Sequence, residues 1–139
     1  MNRKKYIIAS IVVGLVAYAC DFVLHGVILA DAYKANEHLF GGMDQMMKYI
    51  WVNPIAYFSL SFLLGYVFIR GYENLGIMEG VRFGVLIGLL MHVPRFCFEV
   101  MYYPYPKIFD ISNLIGGFIT CVLMGIVFAL IYKPLPKTA

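Results

Sequence analysis

Asp21 and His25 stand four residues apart in one apolar stretch, and Arg95 and Glu99 stand four apart in another, with His92 three residues upstream of Arg95. Residues four apart share a helix face, so each stretch carries a polar pair that one helix can aim at one place. Counted down from the helix ends, Asp21 comes level with Arg95 and His25 with Glu99. The expected contacts therefore run between helices, Asp21 to Arg95 and His25 to Glu99. Asn53 and Asn113, near the ends of two further apolar stretches, would close the ring. As chemistry the set reads as a ligand-binding site. Arg95 would hold an anionic group, Asp21 would neutralise Arg95 when the site is empty, and His25 and Glu99 would titrate at the mouth, with His92 deeper. A charged side chain at the centre of a membrane helix costs ~2.5–3.5 kcal/mol on insertion scales, so an intramembrane ionisable cluster is by default a functional hypothesis. The alternative is that it only fixes helix register, as buried polar groups do elsewhere.

Other chemistries fit the same residues less well. Asp21, His25, His92 and Glu99 are ligand types for iron, zinc or manganese, but no E-x-x-H pair occurs and Arg95 would put a positive charge beside the metal. His25 and His92 differ in height by about 8–10 Å at about 1.5 Å per residue, which misfits bis-histidine haem ligation. His38 with Met43, Met46 and Met47 offers soft donors for cuprous copper, in a stripe that a membrane-facing surface explains equally. Ser59, Ser61 and Thr120 have no base spaced to activate them. No catalytic residue, metal or cofactor is expected, and the reading leans away from an enzyme. Cys20, Cys97 and Cys121 fall inside apolar stretches, odd in number and without zinc-site spacing, and read as small buried hydrophobes.

The elements that must position these residues follow from composition. The 139-residue chain is 62% hydrophobic and 14% charged, against about 45–50% and about 25% in soluble domains. A bilayer core needs about 20 mostly apolar residues per helix. Four stretches qualify, about 6–30, 50–69, 81–102 and 111–132, and they leave little chain for a soluble appendage. The expected fold is all-α, a single four-helix transmembrane bundle. The opening MNRKKYIIASIVVGLVAYAC has the basic and apolar regions and the Ala17-Tyr18-Ala19 site of a cleaved signal, but its apolar run continues past Cys20 to Ala30, and it is read as a retained first span.

The net charge of +3 carries no nucleic-acid signal; its distribution is a topology signal. Arg3, Lys4 and Lys5 in the first tail, Arg70 and Arg82 around the second loop, and Lys133 and Lys137 in the last tail make seven basic residues on one side, against Lys34, Lys48 and Lys107 on the other. Lys and Arg gather in cytoplasmic loops, which puts both termini in the cytoplasm and the chain in the cytoplasmic (inner) membrane. The long first loop carries Met43, Met46 and Met47 at helical spacing, as in a short helix on the outer surface. Tyr102, Tyr103 and Tyr105 in the third loop suit an interfacial aromatic belt. Pro94 is expected to kink the third span and free the Leu90 carbonyl.

Two internal regularities stand out. At an offset of 60, the second and fourth spans share Asn53/Asn113, Ile55/Ile115, Phe58/Phe118, Leu63/Leu123, Gly65/Gly125, Val67/Val127 and Phe68/Phe128. At an offset of 74, the first and third share Gly14/Gly88, Leu15/Leu89 and Phe22/Phe96. The expectation is two duplicated helical hairpins of one orientation, related by an axis along the membrane normal. Gly80, Gly84 and Gly88 form a small-residue stripe that lets helix backbones approach, either inside the chain or at the seam of a homodimer or membrane-protein partner.

The stretches CDFVLHGVIL running on into ADAYKA, EGVRFGVLIGL, and the ending LIYKP together resemble a family of short bacterial integral membrane proteins of four spans, catalogued as a domain of unknown function. The resemblance extends over most of the chain. It implies the four-span fold and no activity, cofactor or site residue. From the residues themselves, the leading reading is binding or passage of a small polar molecule or ion. A structural or accessory subunit of a membrane complex is the alternative, and a metal- or haem-dependent redox protein the second.

Overall fold

In a computed structural model, which describes residues 2–132 apart from the Met43 side chain, the chain is helical almost throughout. Lys133 and Lys137 lie outside the described residues. Helix α1 (Arg3–Asp21) runs directly into a π-helical stretch, Phe22–Ile28. Two short helices, α2 (Ala30–Ala35) and α3 (Met43–Tyr49), and a 3-10 turn over Glu37–Leu39 occupy the first loop. Helices α4 (Val52–Arg70), α5 (Ile77–Tyr102) and α6 (Lys107–Ile131) complete the chain. The α1–π run and α4, α5 and α6 are each long and apolar enough to cross a membrane.

The helix ends have local causes. Asn2 caps α1 by accepting from the Lys5 N–H, as short polar side chains do at that position. Glu79, in the first turn of α5, accepts from the backbone N–H groups of Glu73 and Leu75 at 2.5 and 2.9 Å, which ties the second loop to the helix and starts it before the apolar run. Pro106 precedes α6, and Asp110 in its first turn is 1% exposed, held by Lys107 at 3.2 Å. An acid there also faces the positive end of the helix dipole.

Small residues decide the packing. One face of α1, with Ala9, Val13 and Ala17 fully buried, lies between α4 and α6. On α5 the stripe Gly80, Gly84 and Gly88 is covered by α6. A Cβ at Gly84 would stand 2.5 Å from the Cys121 carbonyl oxygen and the Val122 Cα, and one at Gly88 would meet the Phe118 ring. Gly80 and Gly125 face each other in the same seam. The glycine stripe therefore serves a helix pair inside the chain.

The helices stand in the order α4, α1, α6, α5, with close interfaces between neighbours. Helices α4 and α5 form no extended interface; they meet edge to face through Phe68 and Phe83, whose ring centroids are 5.1 Å apart. Phe68 also stacks on Phe128, and with Ala9, Val13, Ala17, Met124 and Ala129 these make the apolar core.

The two ends of the bundle differ. At one, the Asn2 backbone N–H donates to Tyr132 Oη at 3.3 Å and the Tyr132 ring meets Tyr72 of the second loop. At the other, Phe40 of the first loop stacks on Tyr105 of the third loop and packs edge-on against Phe109, with Tyr33 beside both Phe40 and Phe109. The short helix at Met43–Tyr49 forms where the methionine spacing indicated one.

Two local features of the spans bear on the site. Helix α5 stays helical through Pro94 to Tyr102. A departure from α geometry lies in the first span, where the Leu29 N–H bonds back five residues to the Leu24 carbonyl at 2.9 Å. The run contains Gly26, over which the Phe22 ring folds, and it carries His25. π-helical turns of this kind recur at functional positions.

Candidate functional site

Away from the Phe68–Phe128 core, a half-open cavity of about 220 Å³ takes side chains from all four long helical elements. Asp21 and His25 come from the first, Tyr57 from α4, His92 and Arg95 from α5, and Asn113 from α6. The floor and sides are apolar, from Leu24, Leu60, Met91 and Met124. Of the seven residues picked out by type and spacing, five line this one space. Glu99 and Asn53 do not. Glu99 holds Arg95 within α5, and Asn53 is exposed in the first turn of α4, on the face of Tyr57 and Leu60 but a turn beyond the cavity.

The ion pairs also differ from expectation. They close within helices and not between them. Asp21 Oδ1 lies 3.5 Å from His25 Nε2, and Arg95 Nε donates to Glu99 Oε1 at 2.7 Å. The Asp21–Arg95 and His25–Glu99 contacts do not form because the first span packs against α4 and α6 and leaves α5 across the cavity.

Asp21 is 15% exposed and is held from a second direction: Tyr57 Oη donates to its Oδ1 at 2.6 Å, a short charge-assisted bond. With the His25 proton on Nε2, facing the carboxylate, Nδ1 is left to accept the Tyr33 hydroxyl proton at 2.9 Å. Tyr33, Oη to His25 Nδ1, then His25 Nε2 to Asp21, then Asp21 to Tyr57, make one chain of polar contacts from the loop end into the cavity. Burial pushes the Tyr33 phenol above its ordinary value, and Asp21 adds to the effect while Arg95 opposes it, so Tyr33 stays a neutral donor at physiological pH.

No family model, curated protein or solved structure matches this chain. The geometry of the cavity is therefore what bears on function.

Across the cavity, Arg95 is 56% exposed and commits only Nε to Glu99. Its two terminal nitrogens make no hydrogen bond to the described residues, so a planar fork of donors is open to the space. His92 seats its imidazole against Gly117, where any side chain would collide with the ring. Its Nδ1 is buried with no hydrogen-bond partner among the described residues, as is Glu99 Oε2. Thr120, also on the wall, spends its hydroxyl on the Gly116 carbonyl at 2.9 Å.

Tyr57 and Tyr33 are the members that sequence reasoning missed. A tyrosine in an apolar stretch reads as core or interface, because its apolar body and polar tip suit both. Among the described residues, no group of three or more His, Cys, Asp or Glu side chains is placed to share a metal ion. The His38 and methionine set sits in the first loop, away from this cavity.

Proposed function

We propose that this chain is an integral protein of the bacterial inner membrane, cytoplasmic at both ends, that binds or passes a small polar or ionic ligand in the four-walled cavity. The observation that carries the reading is convergence: four long apolar segments each spend a costly polar side chain on one space of about 220 Å³. Arg95 takes an anionic group with its free terminal nitrogens. The Asn113 amide, which lines the same space, completes its hydrogen bonding. Asp21, held by Tyr57 and His25, sets the charge of the opposite wall, and Glu99 balances Arg95 in the empty site.

Sidedness rests on the basic residues together with the shared end of Asn2 and Tyr132. We also read the bundle as two duplicated hairpins, α1 with α4 and α5 with α6. Two geometric correspondences support this beyond the sequence offsets. A Cβ at Gly14 would stand 2.7 Å from the Phe58 ring, and a Cβ at Gly88 would stand 2.7 Å from the Phe118 ring; these are matched pairs under offsets 74 and 60. The ion pairs Asp21–His25 and Arg95–Glu99 are likewise matched, each four apart on its helix.

The test is thermal unfolding of the detergent-solubilised chain against phosphate, sulfate and small carboxylates. A ligand at 100 times its dissociation constant stabilises by about 2.7 kcal/mol. The expected result is a midpoint rise with at least one of these anions that Arg95→Gln abolishes. Midpoints unmoved by every anion, or a rise that Arg95→Gln leaves intact, contradict the reading.

A further inference from the structure

The pseudo-symmetry has a break, and the cavity lies in it. Exchanging the two hairpins maps α1 onto α5 and α4 onto α6, so the α1–α6 interface should be matched by an α4–α5 interface. The first is closely packed; the second is slight, with the Phe68–Phe83 ring contact in it. Beyond that contact, Ala56, Tyr57 and Leu60 of α4 look across the cavity at Met91, His92 and Arg95 of α5. In a membrane-spanning bundle this gap faces lipid.

Aromatic rings gather at the loop end of the polar chain. Above the polar chain, Tyr33 binds His25, and Phe40 lies against Tyr33, Phe109 and Tyr105, so the first and third loops form an aromatic roof. The gap between α4 and α5 lies at the side of the bundle, away from these rings. The open side has an apolar lip of Ala56, Leu60 and Met91, and a polar depth where Arg95 presents the terminal nitrogens that Glu99 leaves free. A freely soluble ion has no need of the lip, and an uncharged lipid tail has no use for the fork.

Resting on the binding reading above, we infer that the natural ligand is an anionic amphiphile, with a phosphate or carboxylate head, that enters sideways between α4 and α5. Its head sits on the Arg95 terminal nitrogens and its chain lies along the gap that an α4–α5 interface would otherwise fill.

The experiment is native mass spectrometry of the full chain in a non-ionic detergent, titrated separately with inorganic phosphate, dioleoyl phosphatidic acid and dioleoyl phosphatidylcholine. Phosphatidic acid should bind at least about tenfold more tightly than either of the others. Arg95→Gln should lose most of that preference and Arg95→Lys should restore part of it. Ala56→Trp fills the lip without touching a charged residue. It should weaken phosphatidic acid and leave phosphate unchanged, and it gives the readout even if Arg95→Gln does not fold. Phosphate binding as tightly as phosphatidic acid, with both dependent on Arg95, overturns the amphiphile and keeps the anion site. Equal binding of the two lipids, or lipid binding indifferent to both Arg95→Gln and Ala56→Trp, marks a nonspecific lipid shell and overturns the inference. If neither phosphate nor phosphatidic acid responds to Arg95, the binding reading falls as well.

Discussion

At His25 each ring nitrogen faces a different oxygen, and the neighbours decide which carries the proton. Asp21 accepts only, so it takes Nε2–H, and Nδ1 depends on a protonated Tyr33. The Tyr33 phenol is raised by burial first and by the Asp21 and Glu99 carboxylates, with Arg95 opposing. An unfolded tyrosine titrates near ~10. A folded value above the unfolded one gives stability that is complete below about 10 and lost as pH rises through the folded value. The Tyr72 phenol is also raised, by burial and by Glu79, and adds in the same direction. Tyr33→Phe should therefore remove part, not all, of the alkaline loss when unfolding midpoints are compared between about pH 8 and about pH 11. A variant curve parallel to that of the original chain would contradict the proposed tautomer and its partner. The charged residues of this site were legible because charges are conspicuous in an apolar stretch. Tyr33 and Tyr57 were not, because only the fold shows that their hydroxyls end on His25 and Asp21. Asn53 shows the converse error: a polar residue on the same face of α4 as Tyr57 and Leu60, left out of the cavity because it stands a turn further along the helix.

Between helices, the tightest constraint is the α5–α6 seam. An alanine at Gly84 drives its Cβ into the backbone of Cys121 and Val122, which cannot rotate away. Overpacking of this kind costs about 1–3 kcal/mol, and a backbone neighbour puts Gly84→Ala at the upper end. Gly71, whose added Cβ would meet nothing nearer than 4.0 Å, is the matched control. Thermal unfolding should show a large drop for Gly84→Ala and little change for Gly71→Ala. Similar midpoints for the two would mean that the helices do not approach as closely as described. The stripe itself was visible as glycine at every fourth position; its partner was not, since small residues serve an internal or an external neighbour alike. The π-helical turn was also hidden. Nothing in FVLHGVI distinguishes it from an α-helix except one glycine, whereas Pro94, the obvious breaker, sits in a helix that continues past it.

Over the whole molecule, four apolar runs of spanning length were enough to establish an all-helical chain, because hydrophobic length is set by the bilayer and needs no tertiary information. The lateral order α4, α1, α6, α5 needed the packing, and so did the direction of the ion pairs. That order leaves α4 and α5 apart and places the polar residues of all four long helical elements around the gap. The central claim is that these residues are retained for a ligand and not to hold the helices together. Glu99 makes the claim testable. It is 14% exposed, one of its oxygens already has no partner among the described residues, and Arg95 is its counter-charge. Removing one member of such a pair strands the other, while replacing both with apolar residues is often neutral or stabilising. The decisive measurement is a double-mutant cycle read by thermal unfolding of the ligand-free chain, with Arg95→Leu, Glu99→Leu and both together. The account predicts that each single change lowers the midpoint and that the double change recovers it or exceeds it. A double variant as unstable as the worse single one would contradict the account and make the cluster a packing device.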